Sequence, residues 1–289
     1  MSNLDLETFY DKKTYTLTYL LYDRGSNDAI LIDPVLNYDN ASSTISLESV
    51  NEVKEFILKN QLNLHYVLET HAHADHLSGA VELKKIFPKV KVGIGKGITL
   101  VQEVFKEIYH EPNWKTDGTQ FDLLLNDGQE ISAGTIKLKV ISTPGHTPAC
   151  VSFLVEDRLF TGDALFMPDY GTGRCDFPKG SAEDLYQSVH EKLYALPNET
   201  RYYTGHDYQP GGRDLKFEST IGESKKQNIQ LKENTRKEEF VAFRTARDAT
   251  LNAPLLLLQS IQVNINGGKL PSVENNGVSY LKIPVRSKE

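Results

Sequence analysis

The chain has 289 residues and a formal net charge of -7, with 39% hydrophobic and 25% charged residues. This length can bury a substantial core in one large domain or two. The acidic balance argues against nucleic acid as the main partner, because phosphate binding needs a basic face. The two cysteines, Cys150 and Cys175, are too few for a disulfide framework and indicate a reducing compartment.

The sequence gives no indication of export or membrane insertion. The first ten residues contain acidic side chains and lack the apolar segment of a secretory signal. The longest apolar run, Pro254 to Leu258, is far shorter than the roughly 20 residues of a membrane helix. We therefore expect a cytoplasmic, soluble enzyme with no membrane partner.

The first third of the chain alternates predicted strands and helices. Thr14–Leu21 alternates threonine with apolar residues as a half-buried strand does, and Ala29–Ile32 forms a second strand closed by an Asp-Pro pair. Ser46–Leu58 is predicted to be a helix with one apolar side. Apolar residues at helical spacing over Leu77–Phe87 predict another helix directly after His76, and its N-terminus would favour bound anions.

The later part of the chain is predicted to continue the same domain. Apolar residues at helical spacing over Leu185–Leu193 predict a helix that Ser181 caps. We predict a single domain over residues 1–289, in which about residues 218–289 form a C-terminal extension packed on the main body. The extension is charged and helix-prone up to residue 252, and Pro254–Ser287 carries β-like or irregular apolar pieces between glycines and prolines.

Residues 71–76, His-Ala-His-Ala-Asp-His, contain four potential metal ligands in six positions. His71 and His73 lie two residues apart, as one face of an extended segment requires, while Asp75 and His76 continue into a turn. Imidazole and carboxylate groups together suit zinc, iron or manganese better than calcium. A solvated His-rich loop would rarely contain Asp at fixed spacing. We therefore interpret the segment as the core of a metal site.

Three later loops supply further candidate ligands. His146 lies in a Pro-Gly turn after an alternating strand, and Asp163 and His206 each end a predicted strand. Taken singly, a loop His or Asp is most often a surface residue. Loops at strand ends are also where a rigid sheet positions catalytic groups. The order of these residues along the chain therefore favours a shared site.

This ordered set resembles the metallo-β-lactamase superfamily, in which H-x-H-x-D-H is followed by a later His, a bridging Asp and a final His. The seven matching residues are His71, His73, Asp75, His76, His146, Asp163 and His206. The resemblance implies an α/β fold, a four-layer αβ/βα sandwich with the metal site at one edge of two facing sheets. The superfamily is chemically diverse, so the fold alone does not name the reaction.

The segment Gly171–Phe177 narrows the choice of reaction. It resembles the G-C-G-R-T-D-F segment of persulfide dioxygenases, with Thr172 in place of Cys and Cys175 in place of Thr. The related glyoxalase II segment carries G-C-G-R without the acidic D-F. The resemblance implies an enzyme of sulfide detoxification, which oxidises a low-molecular-weight persulfide such as glutathione persulfide with O2 to sulfite and the thiol.

The expected metal content follows from the same resemblance. Persulfide dioxygenases bind one ferrous iron, Fe(II), per chain, by position through His71, His146 and Asp163, and this ligand set leaves three coordination positions open. The other motif residues would orient these ligands or form a second metal site: His73, Asp75, His76 and His206. In the alternative, a thioester hydrolase of the glyoxalase II kind, all seven residues would bind two zinc ions. A non-catalytic module would be expected to lose ligands, and none is missing.

Further residues are assigned from the resemblance and from their positions. Arg174 and Asp176 are expected to form an ion pair that shapes the loop near the metal. Tyr208 either donates a hydrogen bond to the substrate or packs within its loop, Asp33 supports the metal loop, and Cys175 is a small packing residue. Four basic residues either bind the anionic end of the substrate or belong to a solvated face: Arg213, Lys216, Arg244 and Arg247. Dimers are common among similar enzymes, so a homodimer is one expected assembly.

Overall fold

Two six-stranded sheets and one small sheet form the framework of the protein. A computed structural model describes residues 3–285 and residue 287. Within this part, the first large sheet contains, in spatial order, β1 (Leu4–Asp11), β2 (Thr16–Asp23), β3 (Asp28–Ile32), β6 (Asn63–Glu69), β8 (Lys91–Gly95) and β9 (Leu123–Leu125). The second contains β10 (Glu130–Ala133), β11 (Ile136–Ser142), β12 (Val151–Val155), β13 (Arg158–Gly162), β14 (Arg201–Thr204) and β15 (Glu218–Thr220). The small sheet orders β5 (Thr44–Ser46), β4 (Val35–Asp39) and β7 (Leu77–Ser78).

Both large sheets are mixed. In the first, β1, β2 and β3 are antiparallel neighbours, and β3, β6, β8 and β9 run parallel. In the second, β10 to β13 are antiparallel neighbours, β13 and β14 run parallel, and β15 returns antiparallel. Consequently β11, β13 and β14 all end at the same edge of the second sheet.

Helices connect and cover these strands. They are α1 (Glu48–Lys59), α2 (Ala80–Ile86), α3 (Ile98–Ile108), α4 (Ala182–Gln187), α5 (Ile221–Gln227), α6 (Lys237–Asp248) and α7 (Leu257–Asn264). A π-helical segment, Ser188–Leu193, continues α4, and Pro210–Gly212 forms a 3-10 turn. The predicted cap of α4 is confirmed, because Ser181 Oγ accepts a hydrogen bond from Asp184 N at 3.1 Å. In the part of the chain that the structure describes, no helix combines the length and apolar character needed to cross a bilayer.

The core between the two large sheets receives alternate side chains of their strands. From β2, Leu17, Tyr19 and Leu21 enter this core, which they share with Phe153 and Phe160 of the second sheet. The side chains on the opposite face of each large sheet point outward and pack against helices. Burying one such large apolar side chain stabilises the fold by roughly 1.5–3 kcal/mol.

Helices complete a layer on each outer face. On the first sheet, α1, α2 and α3 contribute Val53, Leu83 and Phe105 to a second core. On the second sheet, Leu185 of α4 packs in a third core with Leu159 of β13. The order helix, sheet, sheet, helix confirms the predicted four-layer sandwich. The predicted half-burial of β2 is wrong, however, because its first six residues are all buried between two cores.

Two predicted elements differ from the structure. Leu77–Ser78 pairs with β4, and α2 begins only at Ala80, because strand pairing replaces the helix suggested by the apolar spacing. The prediction of a helix N-terminus directly after His76 is therefore wrong. Leu257–Asn264 forms α7 rather than a β-like or irregular piece, since periodicity alone does not distinguish short apolar runs. The described residues after α7 are irregular, as predicted.

The predicted C-terminal extension begins inside the second sheet. Its first residues form β15, which pairs with β14. Its last helix packs against the core of the first sheet through Ile261, Val263 and Ile265. Residues 1, 2, 286, 288 and 289 fall within predicted ranges and lie outside the described residues. The division into one domain with an extension stays a prediction.

Gly134, in the turn between β10 and β11, lies close to the buried carboxylate of Asp28. Its φ is +57°, and a Cβ atom there would lie 2.0 Å from Asp28 Oδ2. We expect Gly134→Ala to lower the free energy of unfolding by about 2–4 kcal/mol, because left-handed backbone strain and crowding add. Gly128→Ala is the matched control, since its φ is +72° and, apart from Gly128 and its two chain neighbours, no described residue lies within 4 Å of the added carbon. Urea denaturation measures the loss in free energy of unfolding for both variants. Equal losses would show that crowding by Asp28 contributes nothing at Gly134.

Candidate metal centre

The predicted ligands meet at one edge of the sandwich. The segment 70–76 follows β6 of the first sheet, whereas His146, Asp163 and His206 follow β11, β13 and β14 of the second. These three strands end at the same edge, so their loops converge on the segment from the first sheet. Loops from both large sheets, which come from different parts of the chain, thus form one site.

A first group of ligands comprises His71, His146 and Asp163. One ligand atom from each lies within 4.8 Å of the others, and all three side chains are buried. Asp163 Oδ2 is 3.9 Å from His71 Nε2 and 3.6 Å from His146 Nε2. The structure therefore brings together the two imidazoles and one carboxylate that the resemblance implies for iron.

A second group lies on the other side of Asp163. His73, Asp75 and His76 also offer ligand atoms within 4.8 Å of one another. His206 Nε2 is 3.5 Å from Asp75 Oδ2 and 3.5 Å from Asp163 Oδ1. The two oxygens of Asp163 thus face different groups, so the geometry accommodates either one metal ion or two.

Hydrogen bonds at the outer ring nitrogens orient the imidazoles. His146 Nδ1 donates to the carbonyl oxygen of Arg174 at 2.7 Å, and His206 Nδ1 donates to that of Tyr15 at 3.2 Å. In each ring this leaves Nε2 turned inward with a free lone pair. A metal-binding His generally has its other nitrogen held in this way.

His73 has the reverse orientation. Its Nε2 lies 3.0 Å from Asp33 Oδ1 and 3.2 Å from Glu69 Oε2, so Nδ1 is the nitrogen left for a metal. Although burial alone would lower it, the two carboxylates raise the pKa of His73 well above its ordinary value. Asp33 also accepts hydrogen bonds from Thr70 N and Oγ1, both at 2.7 Å, which confirms that it supports the metal loop.

His71 is held as a neutral imidazole. Burial, together with the neighbouring rings of His73 and His146, lowers the pKa of His71 well below its ordinary value. Its Nδ1 lies 3.0 Å from Thr70 Oγ1. The lone pair on Nε2 is therefore available to a metal ion near neutral pH.

Several inward-facing atoms have no hydrogen-bond partner among the described residues. They are buried, and they include His71 Nε2, His73 Nδ1, His76 Nε2 and Asp163 Oδ1. An unsatisfied buried polar atom costs about 1–3 kcal/mol, and these four all belong to candidate ligands. Because imidazole and carboxylate suit zinc, iron and manganese, these residues fit a metal ion.

Comparison with known proteins agrees with this geometry. A family model described as the metallo-beta-lactamase superfamily matches residues 12–206. The chain belongs to this superfamily. It is 47% identical to glyoxylase B2 of Dictyostelium discoideum, over 99% of this chain and 98% of that protein. It is also 37% identical to the mitochondrial persulfide dioxygenase ETHE1 of Homo sapiens, over 70% of this chain and 68% of that protein.

A solved structure extends the likeness to the fold. The crystal structure of ETHE1 from Myxococcus xanthus matches this chain with a TM-score of 0.74 and 29% sequence identity. The match covers 92% of this chain and 100% of the ETHE1 chain. The expected fold and superfamily are therefore confirmed. The chain is an enzyme of the metallo-beta-lactamase superfamily with buried His and Asp clusters suited to metal ions.

A cavity of about 720 Å³ opens over the metal centre of this superfamily enzyme. Three candidate ligands contribute to its lining: His146, Asp163 and Asp75. Aromatic side chains form part of the wall, namely Phe166, Tyr170 and Tyr208, beside the loop of residues 172–174. The C-terminal extension supplies another wall through residues 251, 252 and 254–256. A small molecule in this cavity would therefore contact both the ligands and the extension.

The loop beside the cavity contains the ion pair predicted from the sequence. Arg174 Nε and Nη2 donate to the two carboxylate oxygens of Asp176, each at 2.6 Å. Arg174 Nη1 also donates to the carbonyl oxygen of Asn252 at 2.7 Å, so the pair joins the loop to the extension. Arg174 lines the cavity, whereas Asp176 does not contribute to the lining. Their catalytic roles stay predictions.

Tyr208 both packs and faces the cavity. Its ring lies 4.8 Å from that of Tyr170 and 5.5 Å from that of His206, measured between centroids. The side chain is partly exposed and lines the cavity. The two roles expected from the sequence are therefore compatible.

The four basic candidates lie in different surroundings. Arg213 Nη1 and Nη2 donate to Asp207 at 2.7 Å, and Arg213 also pairs with Asp169. Arg244 lines the cavity but is only 1% exposed and pairs with Asp248. Of the four, only two line the cavity, Arg244 and Arg247, and Arg247 is the exposed one of these. Lys216 is exposed and, like Arg213, lies outside the lining.

Glu69 is a residue of the site that the sequence interpretation missed. It ends β6 and holds His73 with Asp33. The signal was present, because Glu69, His71 and His73 are spaced by two and share one face of an extended segment. Cys175 is buried, as expected for a packing residue, and burial raises its thiol pKa well above the ordinary range.

Removing metal should destabilise this enzyme, because the buried ligands would lose their common partner. At a metal concentration about 1,000 times Kd, binding stabilises the native state by about 4 kcal/mol. We expect chelator treatment to lower the midpoint of thermal unfolding by on the order of 10 °C. The treated variant His146→Ala is the control and should shift much less. If the thermal unfolding midpoint of the wild type does not change after verified metal removal, these residues do not bind a stabilising metal ion.

Proposed function

We propose that this chain is an iron-dependent persulfide dioxygenase, acting on a low-molecular-weight persulfide such as glutathione persulfide. The observation that carries the proposal is the compact group of His71, His146 and Asp163 beneath the cavity. Two imidazoles and one carboxylate suit ferrous iron with open coordination positions. The likeness to a relative named persulfide dioxygenase supports the same reaction.

The proposed reaction converts one persulfide, one O2 and one water into one thiol, one sulfite dianion and two protons. Both atoms of O2 end on the terminal sulfur, and water supplies the third oxygen when the sulfur–sulfur bond breaks. Bound ferrous iron would supply the redox chemistry that lets O2 react with sulfur. The chain's own groups would bind and orient the persulfide and limit access of water.

Three features of the cavity suit this task. Arg174 lines the cavity and its guanidinium is fixed by Asp176 and by the carbonyl of Asn252, so it would offer an ordered positive group to an anionic persulfide. The aromatic wall contributed by Phe166, Tyr170 and Tyr208 excludes water from part of the space. Tyr208 also carries a hydroxyl group that can donate to substrate.

The thiol carrier would extend towards the mouth of the cavity. A volume of about 720 Å³ falls in the usual range for small-molecule sites. Of the four basic candidates, Arg247 is the exposed one that lines the cavity, and it opposes the burial-driven rise in the pKa of Tyr170. We infer that Arg247 binds a carboxylate of the carrier, whereas Arg244 with Asp248 serves structure.

A second candidate function is hydrolysis of a glutathione thioester with two zinc ions. The observation that favours it is the complete second group, in which His206 approaches both Asp163 and Asp75 at 3.5 Å. The relative named glyoxylase B2, at 47% identity, adds to this alternative. In that case the four further ligands would bind metal directly: His73, Asp75, His76 and His206.

Parallel assays separate the two functions. The full-length chain is loaded anaerobically with Fe(II) in one sample and with zinc in another. With glutathione persulfide, we expect the iron sample to consume one O2 per sulfite formed. S-lactoylglutathione should remain unhydrolysed in both samples. Thioester hydrolysis by the zinc form without O2 uptake by the iron form would support the hydrolase instead.

Substitution of Arg247 tests the binding of the carrier. We expect Arg247→Ala to raise KM for glutathione persulfide about tenfold with little change in kcat, the result expected when uniform binding is lost. Lys216→Ala is the matched control, because it removes an exposed positive charge outside the cavity lining. Steady-state O2 uptake gives both constants. If both variants keep the wild-type KM, the carrier binds elsewhere.

A further inference from the structure

Asn264 connects the last helix to the metal loop. It ends α7 and is 4% exposed. Its Nδ2 donates to the carbonyl oxygens of His73 and His76, both at 2.8 Å, and its Oδ1 accepts from Ser78 N at 2.8 Å. One side chain thus bonds three backbone groups of the segment that carries three candidate ligands.

A carboxamide matches this segment in number and type of hydrogen bonds. It offers two donor hydrogens and one acceptor oxygen, while the segment presents two carbonyls and one N–H. Most of the segment lies between β6 and β7, outside the strands, where buried backbone groups need partners from elsewhere. Asn264 therefore fixes the path of the backbone and the directions in which His73 and His76 project.

A second series of contacts joins Asn264 to the ring of His73. Ser78, whose backbone N is bonded to Asn264, donates from Oγ to Glu69 Oε1. The other oxygen of Glu69 lies 3.2 Å from His73 Nε2. His73 is thus held at its carbonyl by α7 and at its ring by β6, and Ser78 links the two supports.

The helix that carries Asn264 is itself anchored. Ile261, Val263 and Ile265 are buried in the same core as Leu77 and Ala80, which flank the metal loop. A packed apolar face positions a polar group more rigidly than a mobile loop would. Asn264 is therefore presented to the loop from a fixed platform.

We propose that Asn264 is a positioning residue of the metal centre. It holds residues 73–78 in the shape that places His73, Asp75 and His76 at the metal centre, where they either bind metal themselves or orient the residues that do, so the C-terminal extension helps to set metal affinity. The proposal concerns metal binding and is independent of which reaction the loaded enzyme catalyses.

Gln262 provides a matched control on the same helix. It is 3% exposed, its Nε2 donates to the carbonyl oxygen of Lys282 at 3.1 Å, and its Oε1 accepts from Lys282 N at 3.0 Å. Its amide therefore also holds a backbone segment, but one in the C-terminal tail. Asn264→Leu and Gln262→Leu each remove a buried amide from α7 and should lose similar stability in urea denaturation.

Cobalt(II) serves as the probe, and its release from the loaded full-length chain into excess chelator is followed through the d–d absorption. We expect Asn264→Leu to weaken cobalt binding about tenfold to a hundredfold, the usual effect of losing a group that orients a ligand, and to change the absorption band. Gln262→Leu should match the wild type in both. Asn264→Asp, which keeps the acceptor for Ser78 and loses both donors, should show the same loss if Asn264→Leu does not fold.

A merely structural role for Asn264 predicts a different result. In that case both leucine variants would lose stability while keeping wild-type cobalt release and absorption, and this outcome would overturn the proposal. Equal weakening of cobalt binding in the Asn264 and Gln262 variants would overturn it as well, because the effect would then belong to α7 as a whole.

Discussion

The crowding of imidazoles and carboxylates at one edge of the sandwich is the constraint on which the rest of the structure depends. His71 Nε2, His73 Nδ1 and Asp163 Oδ1 are buried without hydrogen-bond partners among the described residues, and such atoms are unfavourable away from water. A metal ion would lower this cost by accepting the lone pairs of its ligands, and the remaining motif residues would orient those ligands. The surrounding contacts serve this arrangement, since each outer ring nitrogen meets a carbonyl, hydroxyl or carboxylate oxygen that fixes the direction of the inner one.

The C-terminal extension contributes to the site from two directions. Asn264 bonds the backbone of the His-rich loop. Asp248 of α6 accepts from Cys175 N at 2.7 Å, next to Arg174, whose carbonyl holds the ring of His146. The extension therefore touches the His-rich loop and the segment that follows Asp163, and it also lines the cavity above them. Metal binding and access of substrate are thus coupled to the same late segment of the chain.

The sequence permitted prediction of the residues that cluster at the site because their identity is a local property. A dense motif and three strand-end residues are visible without any knowledge of packing, and the fold followed from their order. The orientation of His73 was not predictable, since it depends on Asp33 and Glu69, which are distant in sequence and meet only because β3 and β6 pair in the sheet. At β7, pairing with β4 overrides the helical spacing of the apolar residues. At α7, the apolar spacing is ambiguous, and packing on the core decides in favour of a helix. The separate surroundings of Arg213 and Arg247 likewise arise from the folded chain.

The position of Asp163 between two ligand groups makes metal number the central question. A crystal structure of the metal-loaded enzyme, with anomalous diffraction recorded at the iron and zinc absorption edges, answers it directly. We expect one iron peak per chain, bound by His71 Nε2, His146 Nε2 and a carboxylate oxygen of Asp163. Two zinc peaks on either side of Asp163, with His206 and Asp75 bound to the second in the catalytically active preparation, would contradict it.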